Sequence, residues 1–299
     1  MLLKAGRRLV ASGHVVSLVA TSKAADHEAV AAGDFEAWAS AIGAEFIFGP
    51  QLASAKALET LRAARCDVAI SMNWVRLLPA EVRACFTHGV FNAHPGDLPR
   101  FKGNACPNWA ILLGEPGVGL IIHKMDDGLD SGPVALRDFF PLAETTTVTA
   151  VYAWLEAAIP RLFVELANAI ADGRLVLSPQ SQDPSLGLRC YPRRAQDARI
   201  DWCADSAQIS RLIRASTRPF AGAFTTLEGQ QIVRVWSAAP VEIQEPFVAI
   251  PGQVMFALQG DPVVATGRGA LRLTDISLDG ASSLPAREAL LVSLRNRLV

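Results

Sequence analysis

Asn92 and His94 stand two residues apart at the end of an apolar run, and Asp130 follows 38 positions after Asn92. Alternate residues of an extended segment share one side, so the amide and the imidazole can face one cavity. Pro95-Gly96 and Pro99 stop regular structure just after His94. The stretch therefore reads as a strand opening into a loop, where reactive side chains are presented. Asp130 sits in a second loop, residues 125–133 (MDDGLDSGP), after the apolar run 118–123. An amide, an imidazole and a carboxylate suit acyl transfer to an amine. The imidazole handles the proton near working pH. The amide N–H hydrogen-bonds an oxyanion, and the carboxylate orients the imidazole. This chemistry requires no metal and no thiol or hydroxyl nucleophile. Taken singly, each residue has a plainer reading: a structural histidine, a capping Asn92, a turn-forming Asp130.

The elements that must hold these loops follow from periodicity. Strands at 15–20, 45–48, 67–71 and 89–92 alternate with helices at 2–11, 35–42 and 53–64. That alternation predicts an α/β, doubly wound, Rossmann-like sheet. A helix at 106–113 follows the His94 loop. Residues 147–172 are apolar at helical spacing, with Pro160 as a kink point. Residues 73–79 (NWVRLLP) read either as a helix start, with Leu77 and Leu78 in the core, or as a ligand-binding loop. A polar, turn-rich linker at 179–187 separates a catalytic domain, 1–187, from a β-rich domain, 188–299. In the latter, a helix at 206–216 and five short strands predict a small OB-like barrel. The strands are 223–227, 231–236, 252–257, 262–265 and 271–278. A doubly wound sheet ordinarily has its first strand at its centre, whereas this sequence opens in a helix. The expectation is a first strand absent from the sequence, or a rearranged sheet edge. No GxGxxG occurs, so a nicotinamide cofactor has no support.

Hydrophobic residues make up 51% of the 299 and charged residues 19%, which suits a well-buried globular protein. The net charge of −1 gives no global attraction to nucleic acid or anionic membrane. Five scattered cysteines without a CxxC argue against a zinc site or a disulfide framework. Reduced thiols and the lack of a signal-peptide core or a long apolar run predict a cytoplasmic protein with no membrane partner.

Asn-x-His-x-x-x-Leu-Pro at 92–99, Gly103, Pro107 and Asp-x-Gly-Pro at 130–133 together resemble the folate-dependent formyltransferases. That family includes methionyl-tRNA formyltransferase and the sugar N-formyltransferases. The resemblance implies that Asn92, His94 and Asp130 form a catalytic triad and that N10-formyltetrahydrofolate is the formyl donor. It implies that the backbone near Arg76, Leu77 and Leu78 binds the pterin. It also implies that the loop of Asp126, Asp127, Gly128 and Leu129 lines the folate pocket. Asn104 matches a cofactor-contacting position in the sugar-specific relatives. A homodimer is compatible with the family. On their own, Asp126 and Asp127 read as solvated or structural. Arg100 and Lys102, either side of Phe101, are a solvated basic face or the receivers of a substrate phosphate. Arg193, in a Tyr-Pro-Arg-Arg segment, either reaches the substrate or makes a structural ion pair between domains. His123 reads as structural, and Trp109 and Trp154 as core.

The triad cannot name the amine that is formylated. Residues 205–299 hold nine arginines and no lysine against eight acids, an excess of one. A tRNA-binding domain needs a clear basic excess. The stretch 218–224 (RPFAGAF) also resembles its counterpart in a formyltransferase acting on a uridine-linked 4-amino arabinose. The expected acceptor is therefore a small-molecule amino sugar, nucleotide-linked, with nucleic acid disfavoured. Methionyl-tRNA is the alternative, and an aminoacyl group on a carrier protein or a non-catalytic folate-binding scaffold the remainder.

Overall fold

The computed structural model describes residues 1–22, 30–279, 283–293 and 295–299. Two compact units result. One comprises Met1–Cys106, Val118–Phe140 and Tyr152–Tyr191, the other Pro107–Gly117, Pro141–Val151 and Pro192–Val299.

In the first unit, α1 (Leu2–Ala11) buries Leu3, Ala5 and Leu9 on one stripe. The strands β1 (Leu18–Thr21) and β2 (Glu45–Phe48) pair in parallel, joined through α2 (Ala32–Ile42). Helix α3 (Ala55–Ala63) starts at Ser54, whose hydroxyl accepts from the Ala57 amide at 3.3 Å, a helix cap. Then come β3 (Ala69–Ser71), α4 (Ala80–Arg83), β4 (Val90–His94) and β5 (Phe101–Gly103), while α5 (Cys106–Leu113) belongs from Pro107 on to the second unit. They are followed by β6 (Gly117–Lys124), β7 (Val134–Pro141), α6 (Val148–Ala171) and β8 (Leu188–Cys190). A four-stranded sheet has the order β3-β4-β6-β7, with β3 and β4 parallel and β4 and β6 antiparallel. Residues 117–123 of β6 are all buried, which accounts for its unbroken apolar run. The Rossmann-like α/β class is as expected.

Several boundaries moved. The expected strand at 89–92 extends to His94, so the imidazole sits at the strand's end and not in the loop. Residues 73–79 are not helical. Asn73 turns the chain with φ of 56°, and α4 begins only after Pro79. Leu78 is buried but Leu77 is 53% exposed, so only one of the pair enters the core. Neither β5 nor β8 was foreseen. They pair in parallel, Phe101 with Leu188 through Gly103 with Cys190.

In the second unit, α7 (Ser206–Ser216) opens with a capping box. Asp205 accepts from the Gln208 amide (2.7 Å), and Gln208 accepts from the Asp205 amide (3.3 Å). An antiparallel sheet has the order β11-β12-β13-β10-β9. Its strands are β9 (Ala223–Leu227), β10 (Gln231–Val241), β11 (Val254–Leu258), β12 (Asp261–Ala265) and β13 (Ala270–Leu278). The helix α8 (Ser283–Leu291) follows. Trp202, Ile209, Ile213, Val235, Leu271 and Ile276 belong to one core, each large aliphatic contributing roughly 1.5–3 kcal/mol by leaving water. The unit is β-rich as expected. Among the described residues, however, no strand-to-strand pairing of β9 with β11 closes a barrel. Instead the last residues bridge both edges, Leu298 with Leu227 of β9 and Arg297 with Gln253 just before β11. Among the described residues, no helix is long and apolar enough to cross a membrane.

Candidate functional site

β4 delivers Asn92 and His94, and the turn after β6 delivers Asp130. Pairing of β4 with β6 sets Asn92 opposite His123. The four side chains form one cluster. Asp130 Oδ2 lies 3.6 Å from His94 Nδ1, and Asp130 Oδ1 lies 3.5 Å from His123 Nε2. The Asn92 amide nitrogen is 3.4 Å from that same His123 Nε2. The carboxylate is fixed by the Gly103 amide, which donates to Oδ2 at 2.8 Å. Its backbone is fixed too: Asp130 has φ of 49°, and Gln180 Nε2 donates to the carbonyls of Asp130 (2.9 Å) and Gly132 (2.7 Å). His94 Nε2 donates to the Phe101 carbonyl at 2.5 Å, leaving Nδ1 as the edge that faces Asp130. The Cys106 thiol also donates to that carbonyl (3.3 Å).

Burial and charge set the protonation states. Burial pushes the His94 imidazole below its ordinary value. Asp130 and the Phe101 carbonyl oppose this, and His123 adds to it. Burial alone would raise the Asp130 carboxyl, but it is outweighed. The hydrogen bond from His123, the charge of His94 and the Gly103 amide hold it below the usual carboxylate range. At neutral pH the cluster therefore holds a neutral His94 and an ionised Asp130.

This state has a stability consequence. Unfolded His94 binds a proton near pH 6.5, about its reference value, while folded His94 resists it. Between its folded pKa and about 6.5, the unfolded chain holds more protons, so this contribution is lost as pH falls. Thermal melts stepped from pH 7.5 to 5 should show a decline that is shallower in His94→Gln. Parallel declines in the two proteins would rule the account out.

The two stretches read as the folate pocket share an organiser that the sequence did not reveal. Arg83, on α4, donates through Nε to the Leu78 carbonyl (3.0 Å) and through Nη1 to the Met125 carbonyl (3.4 Å), and it pairs with Asp127. It thus ties residues 76–78 to the loop 126–129. Asp126 is a turn former, accepting from the Gly128 amide (3.0 Å) and the Ser131 hydroxyl (2.7 Å). Arg76, Leu77, Asp127 and Gly128 are exposed, while Leu129 is half-buried. Beside them the buried Trp74 Nε1 has no partner among the described residues, nor has Gln180 Oε1 next to Asp130. An orphaned indole N–H close to exposed apolar Val75 and Leu77 fits the polar edge and flat face of a heterocycle such as a pterin.

The remaining candidates fall elsewhere. Asn104 has an exposed side chain, and its amide donates to the Cys190 carbonyl (3.0 Å). Arg100 is exposed with its guanidinium over the Phe101 ring, while half-buried Lys102 stands on β5. Arg193 is held within the second unit by the Asp197 carbonyl (3.1 Å), the Ser216 hydroxyl (3.4 Å) and the Trp109 ring. His123, expected to be structural, stands in the cluster. Its place at the end of an apolar strand was visible, but the register that sets it against Asn92 was not.

A family model described as "Formyl transferase" matches residues 3–166, and one described as "Formyl transferase, C-terminal domain" matches residues 193–292. The chain is similar to methionyl-tRNA formyltransferase of Burkholderia multivorans, with 35% identity over 239 residues, covering 79% of this chain and 71% of that protein. HypX from Aquifex aeolicus, solved in complex with tetrahydrofolic acid, shares 21% identity with a TM-score of 0.55. The match covers 79% of this chain and 40% of HypX, so the chain spans less than half of that protein's length. WlaRD, a sugar 3N-formyl transferase, shares 15% identity with a TM-score of 0.59, covering 91% of this chain and 94% of that one. At these identities the two structural likenesses bear on the fold alone.

Proposed function

The chain belongs to the formyl transferase family and transfers a formyl group from formyl-tetrahydrofolate, and we propose that its acceptor is the primary amine of an aminoacyl-tRNA. The observation that carries this acceptor is the 35% identity to a methionyl-tRNA formyltransferase over 79% of the chain. It outweighs the sequence-based preference for an amino sugar. That preference survives as a second reading on one observation, the basic excess of only one in residues 205–299, small for a surface that must neutralise phosphates.

In this reading, Trp74, the backbone at 76–78 and the loop 126–129 hold the folate, with Arg83 keeping the two segments together. The folate supplies the formyl carbon. Asn92 offers its amide N–H to the oxygen that gains charge, an effect worth about 10²–10³ in rate for one donor. Asp130, ionised and partly open, takes the amine proton as the amine nitrogen bonds to the formyl carbon, and that proton would end on the folate N10 whose bond to the formyl carbon breaks. Neutral His94 shares it through Nδ1, 3.6 Å away, while Nε2 stays on the Phe101 carbonyl. His123 donates through Nε2 to Asp130 and stands opposite Asn92 across the strand pair. Arg100 belongs to the acceptor side, and Arg193 supports the fold of the second unit.

The test is formyl transfer from N10-formyltetrahydrofolate to charged initiator tRNA, run beside a panel of nucleotide-linked amino sugars. Turnover on the tRNA and none on the sugars is expected. Turnover only on a sugar nucleotide would overturn the tRNA reading in favour of the second. No transfer to any amine would defeat both.

A further inference from the structure

β5 and β8 run side by side in parallel with Lys102 in register with Arg189. In-register residues of neighbouring strands project to the same face, so both cationic side chains leave from one face of the pair. Like charges placed opposite each other are destabilising, and among the described residues neither has a carboxylate partner in an ion pair. Arg189 instead lays its guanidinium over the Tyr191 ring, 5.6 Å from the centroid. The two line a groove of about 320 Å³ together with Leu129, Pro184, Gly187 and Leu188. The groove adjoins the reactive cluster at two points. Leu129 immediately precedes Asp130. A side-chain carbon added to Gly103, whose amide binds Asp130, would stand 3.4 Å from the Arg189 guanidinium.

We propose that this groove is the phosphate-binding subsite of the acceptor, with Lys102 and Arg189 gripping a phosphate or diphosphate while the amine reaches Asp130. The anion relieves the repulsion between the two cations and gains charge-assisted hydrogen bonds, of which Arg189 can supply two in parallel. Leu129, Pro184 and Leu188 give the groove an apolar wall for a sugar or base. The phosphate comes either from a nucleoside diphosphate or from the 3′ end of a tRNA. The inference rests on the formyl-transfer reading for its purpose, but not for its test.

The probe is inorganic pyrophosphate, titrated calorimetrically into the full chain without folate. Arg189→Ala should weaken binding at least about tenfold, since a charge-assisted contact is lost. Arg189→Lys should recover part of it, and Arg62→Ala, an exposed cation on α3, should match the wild type. Equal affinity in Arg189→Ala and wild type, or equal loss in Arg62→Ala, overturns the subsite. Displacement of pyrophosphate by UDP or by uncharged tRNA identifies the phosphate source, and displacement by neither also overturns it. In turnover, Arg189→Ala should raise KM for the acceptor while kcat and KM for the formyl donor hold. Because the titration needs no turnover, a wild type that formylates no amine sinks the acceptor reading without touching this result.

Discussion

Asp130→Asn should lower kcat for formyl transfer by about 10²–10⁴ while keeping the fold, with a smaller loss of stability at neutral pH from the carboxylate charge that the folded chain favours. The substitution is nearly isosteric. The asparagine oxygen can still accept from the Gly103 amide at 2.8 Å, and its nitrogen can donate to His123 Nε2 once that imidazole carries its proton on Nδ1, 3.3 Å from the Lys124 carbonyl. What disappears is the charge. The neutral amide cannot take the amine proton, nor can it offset the burial that keeps His94 neutral. His94→Ala should cost a comparable factor by removing the group that shares the proton. It should also leave the Phe101 carbonyl without its imidazole donor. The measurements are single-turnover rates at saturating donor and acceptor, with urea unfolding to confirm the fold. A rate within tenfold of wild type for Asp130→Asn would remove Asp130 from the proton path.

Gly132→Ala is the second change with a large expected effect, and it acts by a different route. A side-chain carbon there would lie 1.8 Å from the Lys124 carbonyl oxygen, a backbone atom with nowhere to move. Lys124 is tied by its own amide to the Pro133 carbonyl (2.9 Å), and the Gly132 carbonyl accepts from Gln180. The clash therefore spreads into the turn that aims Asp130. Overpacking of this kind costs roughly 1–3 kcal/mol, and the displaced carboxylate should take most of the activity with it. Ser131→Ala, next door, only removes a hydroxyl donated to Asp126, worth about 0.5–1.5 kcal/mol, and should leave activity largely intact. A urea midpoint for Gly132→Ala equal to that of the wild type would contradict the steric argument.

These contrasts explain what the sequence could disclose. Asn92 and His94 were legible as neighbours because they lie on one strand at period two, and Asp130 only through the likeness of its Asp-x-Gly-Pro segment to the formyltransferases. The helices α6 and α7 were legible because their apolar positions repeat at helical spacing. His123 was not, because only the antiparallel register of β4 and β6 sets it against Asn92. Arg83 was hidden for a similar reason. Its partners Leu78, Met125 and Asp127 come from two separate loops, and nothing in a linear pattern links them. β5 and β8 escaped because Phe-Lys-Gly and Leu-Arg-Cys are too short to alternate. The β-rich second unit was legible, but the closure of its sheet was not, because five strands at even spacing say nothing about which edges meet.

The way the last residues meet those edges has a bearing beyond the fold. The Val299 carbonyl accepts from the Thr226 amide (2.9 Å) and from the hydroxyls of Thr225 (3.0 Å) and Thr226 (2.8 Å). Leu298 donates to the Gly252 carbonyl (2.8 Å), and Val254 donates to that of Asn296 (3.1 Å). One short segment therefore masks two strand edges that would otherwise be open to pairing with another chain. Masking by a single piece couples the two edges. When the segment lifts, both are bared together, and the second unit passes in one step from self-contained to sticky.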